Sequence, residues 1–107
     1  MLALAFIASL TLGASDTNVD TGQQLLRWLE ETSADYAFMS GVANGFVQGE
    51  QDSLALMKVI CLPPHWTHGQ ANGIVIKWIK DHPKEWQLSS SYLTMNALLD
   101  AWPCTSK

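Results

Sequence analysis

The sequence predicts an all-α fold, a compact bundle of about four helices closed by one intrachain disulfide. Apolar side chains recur at spacings of three and four residues in several separate stretches, whereas no stretch of useful length alternates as a β-strand does. The only two cysteines, Cys61 and Cys104, lie at proline-marked boundaries and enclose two of these stretches. With 107 residues, 48% hydrophobic residues and five tryptophans, the chain has the composition of one folded domain.

Residues 1–15 have the pattern of a secretory signal peptide. An apolar run, too short to span a bilayer, ends in the small residues Gly13 and Ser15. No Lys or Arg precedes the run, so either the true start lies upstream or the segment is an N-terminal core helix. If residues 1–15 are a signal peptide, residues 16–107 are one exported domain, and the oxidising compartment that receives it lets the two cysteines pair. Closing that loop stabilises the domain by about 4 kcal/mol.

The first two helices are predicted from their caps and their apolar spacing. Thr21 and Gln24 form a capping box that opens a short helix, which ends at Glu30 and Glu31. Ser33 is the predicted N-cap of the second helix. The predicted buried face of that second helix consists of Tyr36, Met39, Ala43 and Phe46.

Small residues form a stripe along the same helix, at Gly41, Gly45 and Gly49. A glycine inside a helix costs about 1 kcal/mol relative to alanine, so three of them indicate a packing role. Polar residues interrupt the stretch, which argues against a membrane helix. We therefore expect a close contact with another helix, either within the chain or in a homodimer. Residues 50–60 fit either a last helical turn or a short extended segment.

The third and fourth helices are separated by a proline. Thr67 and Gln70 form a second capping box, and the helix they open is predicted to run to about Asp81 before His82 and Pro83 end it. The predicted buried face of the third helix consists of Ala71, Ile74, Val75 and Trp78. The fourth helix opens at 88–91, and its predicted buried face consists of Leu88, Tyr92, Met95, Leu99 and Trp102.

No residue pattern predicts catalysis. Cys61, His65 and His68 match no standard zinc spacing, and a disulfide would remove the Cys61 thiolate. A Cys–His nucleophile lacks its usual context, and no carboxylate pair falls on a predicted apolar face. We therefore expect no catalytic residue, no metal and no cofactor. A net charge of −4 with scattered basic residues argues against a nucleic-acid partner, and we expect no membrane association after signal cleavage.

The connection between the third and fourth helices, residues 81–86, is the candidate partner-binding element. It is short, charged and stiffened by proline, and it ends in an aromatic residue. Such a loop could enter a partner's cleft, or it could serve only as a helix–helix turn. The candidate partner-binding residues are Asp81, His82, Lys84, Glu85 and Trp86.

The chain resembles the Tai/Rap family of type VI secretion immunity proteins. The resemblance covers roughly residues 33–104 and depends on an ordered series of short pieces. These are Tyr36 and Gly41, Cys61-Leu62-Pro63, Gly69-Gln70, Val75 and Trp78, His82-Pro83, Ala97-Leu98, and Trp102-Pro103-Cys104.

The resemblance implies a periplasmic, disulfide-bonded, all-helical protein, often a homodimer, that neutralises a peptidoglycan amidase effector. It also implies that a protruding loop, matched here to 81–86, enters the amidase cleft. The disulfide would then hold the hairpin of the third and fourth helices, and with it the turn, in a fixed conformation. The alternative functions are a small periplasmic acid-stress chaperone, or an exported helical binding module without a toxin partner.

Overall fold

The computed structural model describes residues 17–104, in which four α-helices provide the regular structure. The helices are α1 (Gly22–Leu29), α2 (Ala37–Leu56), α3 (His68–Asp81) and α4 (Ser90–Ala101), with 3-10 turns at Ala34–Tyr36 and Pro83–Glu85. Within residues 17–104 there is no β-strand, and only two isolated bridges occur. The predicted all-α fold is therefore confirmed. The predicted signal peptide lies outside the described residues.

Both predicted capping boxes are present. Thr21 Oγ1 accepts a hydrogen bond from the Gln24 amide at 3.3 Å, and Gln24 Oε1 accepts one from the Thr21 amide at 3.1 Å. The Thr67 and Gln70 pair does the same at 3.0 and 2.9 Å. Each box satisfies amides that the first turn of a helix leaves without an intrahelical partner.

Helix α2 begins later and runs further than its local pattern suggests. Ser33 caps the 3-10 turn, because its Oγ accepts from the Asp35 amide at 3.2 Å, and the α-helix itself starts at Ala37. The undecided stretch 50–60 is helical up to Leu56. Lys58 then takes a left-handed φ of 61°, while the amides of residues 58 and 59 donate to the carbonyls of residues 55 and 54. This arrangement is a Schellman motif with Lys58 at the position that usually holds glycine.

The predicted buried faces of α2 and α4 are wrong in part. Tyr36 is 47% exposed, and Leu88, Tyr92 and Leu99 are exposed as well. The buried faces are instead Ala43, Val47, Gln51 and Leu54 in α2, and Ser90, Leu93, Thr94, Ala97 and Leu98 in α4. These faces mix leucine and valine with small and polar side chains such as Ala43, Ser90 and Thr94. A pattern that follows large apolar residues therefore located the buried sides of the two helices only in part.

The core joins all four helices, and helix α3 contributes its most regular face. Ala71, Val75 and Ile79 of α3 are fully buried, while the predicted Ile74 and Trp78 are half-buried at the edge of that face. The remaining buried apolar residues are Leu25, Leu26, Trp28, Ala43, Val47, Leu54, Ile60, Leu93, Ala97 and Leu98. No helix among residues 17–104 is long and apolar enough to cross a bilayer.

A disulfide closes the base of the α3–α4 hairpin. Cys61 and Cys104 are bonded, with their Cα atoms 4.8 Å apart, as the sequence predicts. The Cys61 amide also donates to the Trp102 carbonyl at 2.9 Å, and Ile60 pairs with Pro103 in an isolated bridge. The base is therefore held by backbone pairing as well as by the covalent bond.

Candidate functional site: the turn after helix α3

The candidate partner-binding turn leaves the C-terminal end of α3, at the far end of the helix from the disulfide. Asp81 is the last residue of α3, Pro83–Glu85 forms a 3-10 turn, and Trp86 follows. A helix of this length spans about 21 Å, so the disulfide does not touch the turn. Contacts at the turn itself must therefore fix its conformation.

His82 is held against the last turn of α3. Its ring stacks on the Trp78 ring, with centroids 3.7 Å apart and an angle of 14° between the planes. Its Nδ1 lies 2.7 Å from the Trp78 carbonyl oxygen. Because a carbonyl oxygen only accepts, Nδ1 is the donor. His82 is thus held against α3 by its ring and by Nδ1, which fixes its orientation beside the turn.

Trp86 closes the other side of the turn. Its indole Nε1 donates to the Ile79 carbonyl at 2.6 Å, and its half-buried ring packs against the hydrophobic core. The Ile79 carbonyl also accepts from the His82 amide at 3.1 Å, so the indole is its second donor. Trp86 therefore anchors the turn to α3, whereas the sequence had suggested a side chain that contacts a partner.

Asp81 has a partner within its own helix. Its carboxylate accepts from Lys77 Nζ at 2.9 Å, and this hydrogen bond, aided by the charge of Lys77, holds the pKa of Asp81 below its ordinary value. The pair is exposed to solvent. An exposed pair of this kind contributes little stability, but it orients the carboxylate beside the turn.

Lys84 is the candidate residue that remains available. It lies in the 3-10 turn and is exposed, and its ammonium has no ion-pair partner among residues 17–104. Glu85 is half-buried beside it, and its amide donates to the His82 carbonyl at 3.0 Å. The five predicted residues therefore lie together, but they divide into anchors (His82 and Trp86), an internally paired carboxylate (Asp81) and a charged tip (Lys84 and Glu85).

A shallow groove of about 260 Å³ runs beside the turn, between α3 and α4. Trp78 forms part of its floor, and its Nε1 donates to Asp100 Oδ2 at 3.0 Å across the groove. The other lining residues are Ile74, Lys77, Asp81, Ala97 and Ala101. An apolar floor with charged walls, adjoining the exposed Lys84, is a favourable composition for a protein interface.

The glycine stripe of α2 faces solvent. A Cβ added at Gly41, Gly45 or Gly49 would meet no atom within 4 Å. The stripe therefore does not serve close packing within the chain, which was one of the two predicted roles. Phe38, on the same exposed side, is 79% exposed. The stripe remains a candidate contact with a second chain.

The ligand-type residues near the base do not gather into a metal site. Cys61 is in the disulfide, which removes it as a thiolate ligand. His68 lies 3.4 Å from Asp52 through Nε2 and Oδ1, in an exposed pair. Among residues 17–104 no group of three His, Cys, Asp or Glu residues is arranged to hold a metal ion.

Sequence reasoning missed the contribution of residues 19–23 to this site. These residues contact the loop that leads from the turn into α4, chiefly through backbone atoms. Backbone pairing leaves no residue-type pattern, so only one signal was available. That signal is Gly22, the first residue of α1. Glycine is a poor helix former, so its presence there indicates that a neighbouring group lies close to the backbone.

An all-α domain with a closed hairpin, and with an anchored charged tip, has the features of a protein-binding module. The model of the Rap1a immunity proteins matches residues 21–104, and the chain belongs to that family. A search of curated proteins and a search of solved structures find no match to this chain. Membership of the family assigns the chain an immunity function against a secreted effector, and a partner effector that it binds. Family membership also favours the role of a non-catalytic inhibitor over that of an enzyme.

Proposed function

We propose that the protein is a periplasmic immunity protein of a type VI secretion system. It binds a peptidoglycan amidase effector and covers the active-site cleft of that enzyme with the turn 81–86. Residues 1–15 direct export, and residues 16–107 act as one inhibitory domain. Family membership supports the immunity role, and the resemblance in the Cys61-Leu62-Pro63 and Trp102-Pro103-Cys104 pieces suggests the amidase target.

The proposal rests on the different contacts of the residues in the turn. His82 and Trp86 bind back onto α3, so the tip has a fixed conformation before any partner arrives. A preordered tip loses less conformational entropy when it enters a cleft. Lys84 is exposed and without an ion-pair partner among residues 17–104, so its charge is available to a partner. Inhibition by occlusion requires no catalytic group in the inhibitor.

The groove between α3 and α4 supplies the additional contact area that a stable complex needs. A specific interface buries about 800 Å² on each partner, which is more than a six-residue turn offers. The groove shares Asp81 with the turn and presents the half-exposed Trp78, a residue type enriched at the centres of interfaces. Turn and groove would together form one continuous binding surface.

The test is direct inhibition. A peptidoglycan amidase effector, sought first among the products of the neighbouring genes, is purified and its cleavage of peptidoglycan is followed as the protein is added. We expect cleavage to stop once the protein is in molar excess, and a stable complex to elute on gel filtration. Full amidase activity under saturating protein would disprove the proposed target.

We further propose that the glycine stripe of α2 mediates a homodimer. Gly41, Gly45 and Gly49 form an exposed channel where a second helix can approach closely, and Phe38 and Val42 border it with exposed apolar surface. Such a face is costly to leave in water, and a second copy of the same face would cover it symmetrically.

Sedimentation of matched arginine variants tests the dimer. Gly45→Arg places a long charged side chain in the channel and should convert the dimer to monomer. Gly73→Arg is the control, because Gly73 is also helical with no atom within 4 Å of an added Cβ, but it lies on α3. A monomeric wild-type protein, or dissociation by both variants alike, would refute the role of the stripe.

A further inference from the structure

Residues 19–23, which we call the N-terminal clasp, bind the loop that connects the turn to α4. The amide of Gly22 donates to the Leu88 carbonyl at 3.0 Å, and the amide of Gln23 donates to the Trp86 carbonyl at 3.0 Å. These two amides belong to the first turn of α1 and have no intrahelical acceptor. The loop after the turn therefore caps helix α1, and helix α1 in return fixes the loop.

The clasp is also bound from the α4 side. The Ser90 amide donates to the Asp20 carbonyl at 2.8 Å, and Ser90 Oγ donates to the Val19 carbonyl at 2.6 Å. Ser90 is buried, so these bonds are shielded from competing water. Gln87 Nε2 adds a side-chain bond to Gln23 Oε1 at 3.0 Å. Both ends of the loop 86–90 are thus tied to the clasp.

Gly22 permits this close approach. A Cβ added there would stand 2.0 Å from Leu93 Cδ1, and 3.4 Å from both Leu93 Cγ and the Trp86 carbonyl oxygen. Leu93 is fully buried and cannot move aside easily. Any larger residue at position 22 must therefore push the start of α1 away from the loop.

We propose that the N-terminal clasp positions the turn 81–86 for partner binding, with Gly22 as its central positioning residue. Trp86 connects the two structures, because its indole binds α3 while its carbonyl binds the clasp. Loosening the clasp frees the Trp86 backbone and, through it, the tip at Lys84 and Glu85. The role in binding rests on the proposed function, whereas the ordering of the turn by the clasp can be measured on the protein alone.

Amide hydrogen exchange of full-length Gly22→Ala is the first arm of the test. The Glu85 and Leu88 amides bond within the turn and report its opening. We expect them to exchange about tenfold faster than in wild type, beyond any change shared by the core amides of α3. Gly69→Ala is the matched control, because its added Cβ meets only Thr67 Oγ1, at an ordinary 3.7 Å. Unchanged turn amides, or an equal loss at every amide, would overturn the proposal.

Ser90→Ala is a second variant for the case in which Gly22→Ala fails to fold. It removes the bond to the Val19 carbonyl and keeps the helix, while Ser91→Ala is an exposed control one residue further on. We expect faster exchange at Leu88 in Ser90→Ala alone. Equal exchange at Leu88 in the two serine variants would contradict the clasp.

Affinity for the amidase effector is the second arm. Gly22→Ala should weaken the complex about tenfold, and Gly69→Ala should leave its affinity unchanged. If the turn amides respond as expected but both variants bind like wild type, the clasp orders the turn without serving recognition, and the positioning role is wrong. If wild type itself binds no amidase, the proposed function fails, and the exchange arm still decides whether the clasp orders the turn.

Discussion

The two ends of the α3–α4 hairpin are closed in different ways. At the base, Cys61 and Cys104 form a covalent bond, assisted by the hydrogen bond from the Cys61 amide to the Trp102 carbonyl. At the tip, the closure consists of hydrogen bonds, from the Trp86 indole to α3 and from the clasp to the loop 86–90. A covalent closure acts chiefly by restricting the unfolded chain, whereas the non-covalent closure acts only in the folded state. The base therefore governs whether the protein stays folded, and the tip governs the shape of the surface that we propose a partner binds.

The largest expected effect comes from breaking the base. Cys104→Ser should lower the free energy of unfolding by about 4 kcal/mol, measured by denaturant titration in oxidising buffer. The fold should persist, because the Cys61 amide and the Ile60–Pro103 bridge still hold the two segments together. Exchange at the turn amides should follow the global loss and show no extra opening. Selective opening of the turn would show that the disulfide does order the tip, as the sequence had suggested.

Removing the Trp86 anchor of the turn should lower the free energy of unfolding by less than breaking the disulfide does. Trp86→Phe keeps an aromatic ring but removes one of the two donors to the Ile79 carbonyl, which should lower the free energy of unfolding by about 1 kcal/mol. Trp66→Phe is the control, because the Trp66 indole has no hydrogen-bond partner among residues 17–104. Thermal unfolding of the two variants gives the comparison. Equal stability would mean that the indole bond does not anchor the turn.

The base can also be strengthened. Lys58 holds a left-handed φ of 61° in the Schellman motif after α2, a conformation that glycine adopts with less strain. Lys58→Gly should raise the free energy of unfolding by about 0.5–1 kcal/mol. Lys84→Gly, at the tip, changes the same residue type at a position without positive φ and should not stabilise. A destabilised Lys58→Gly variant would show that the lysine side chain has a role at the base.

The smallest expected effect concerns pH at the tip. The hydrogen bond from Lys77 lowers the pKa of Asp81 in the folded protein. The pair therefore stabilises the folded state at pH values above the ordinary carboxylate pKa. That contribution is lost as pH falls through the lowered pKa of Asp81. NMR titration of the Asp81 carboxyl should show its pKa rising towards 3.8 in Lys77→Met. Because the pair is exposed, overall stability should hardly change. An unchanged Asp81 titration would assign the shift to another group.

The base of the hairpin was predictable from sequence and the tip only in part. Two cysteines allow one intrachain bond, between named residues, and Thr21 and Thr67 specify helix starts through side-chain caps. The clasp works through the amides and carbonyls that every residue carries, so only Gly22 hinted at it. The sequence placed Trp86 at the end of the turn but did not predict its bond to the Ile79 carbonyl, because residue type does not reveal which acceptor an indole finds.

The buried faces show the same limit within the helices. Ala97 and Thr94 lie in the core while Tyr36 and Leu99 face solvent, because contacts with the other helices, which no local pattern encodes, decide which side of a helix is buried. Gln51 is fully buried in α2, within the stretch 50–60 that the sequence left open between a last helical turn and an extended segment. The spacing of apolar residues locates the helices well. It locates their buried sides only where large apolar residues lie on them.

Charge reversal at the two ends tests the central claim most directly. Lys84→Glu changes the tip and Lys58→Glu changes the base, and each replaces one exposed lysine without altering the other end. The dissociation constant of each variant for the proposed amidase effector is measured by calorimetry at fixed salt. Recognition through the tip predicts that Lys84→Glu binds at least about tenfold more weakly and that Lys58→Glu binds like wild type. A complex that is weakened only by Lys58→Glu, or by neither variant, would contradict recognition through the turn.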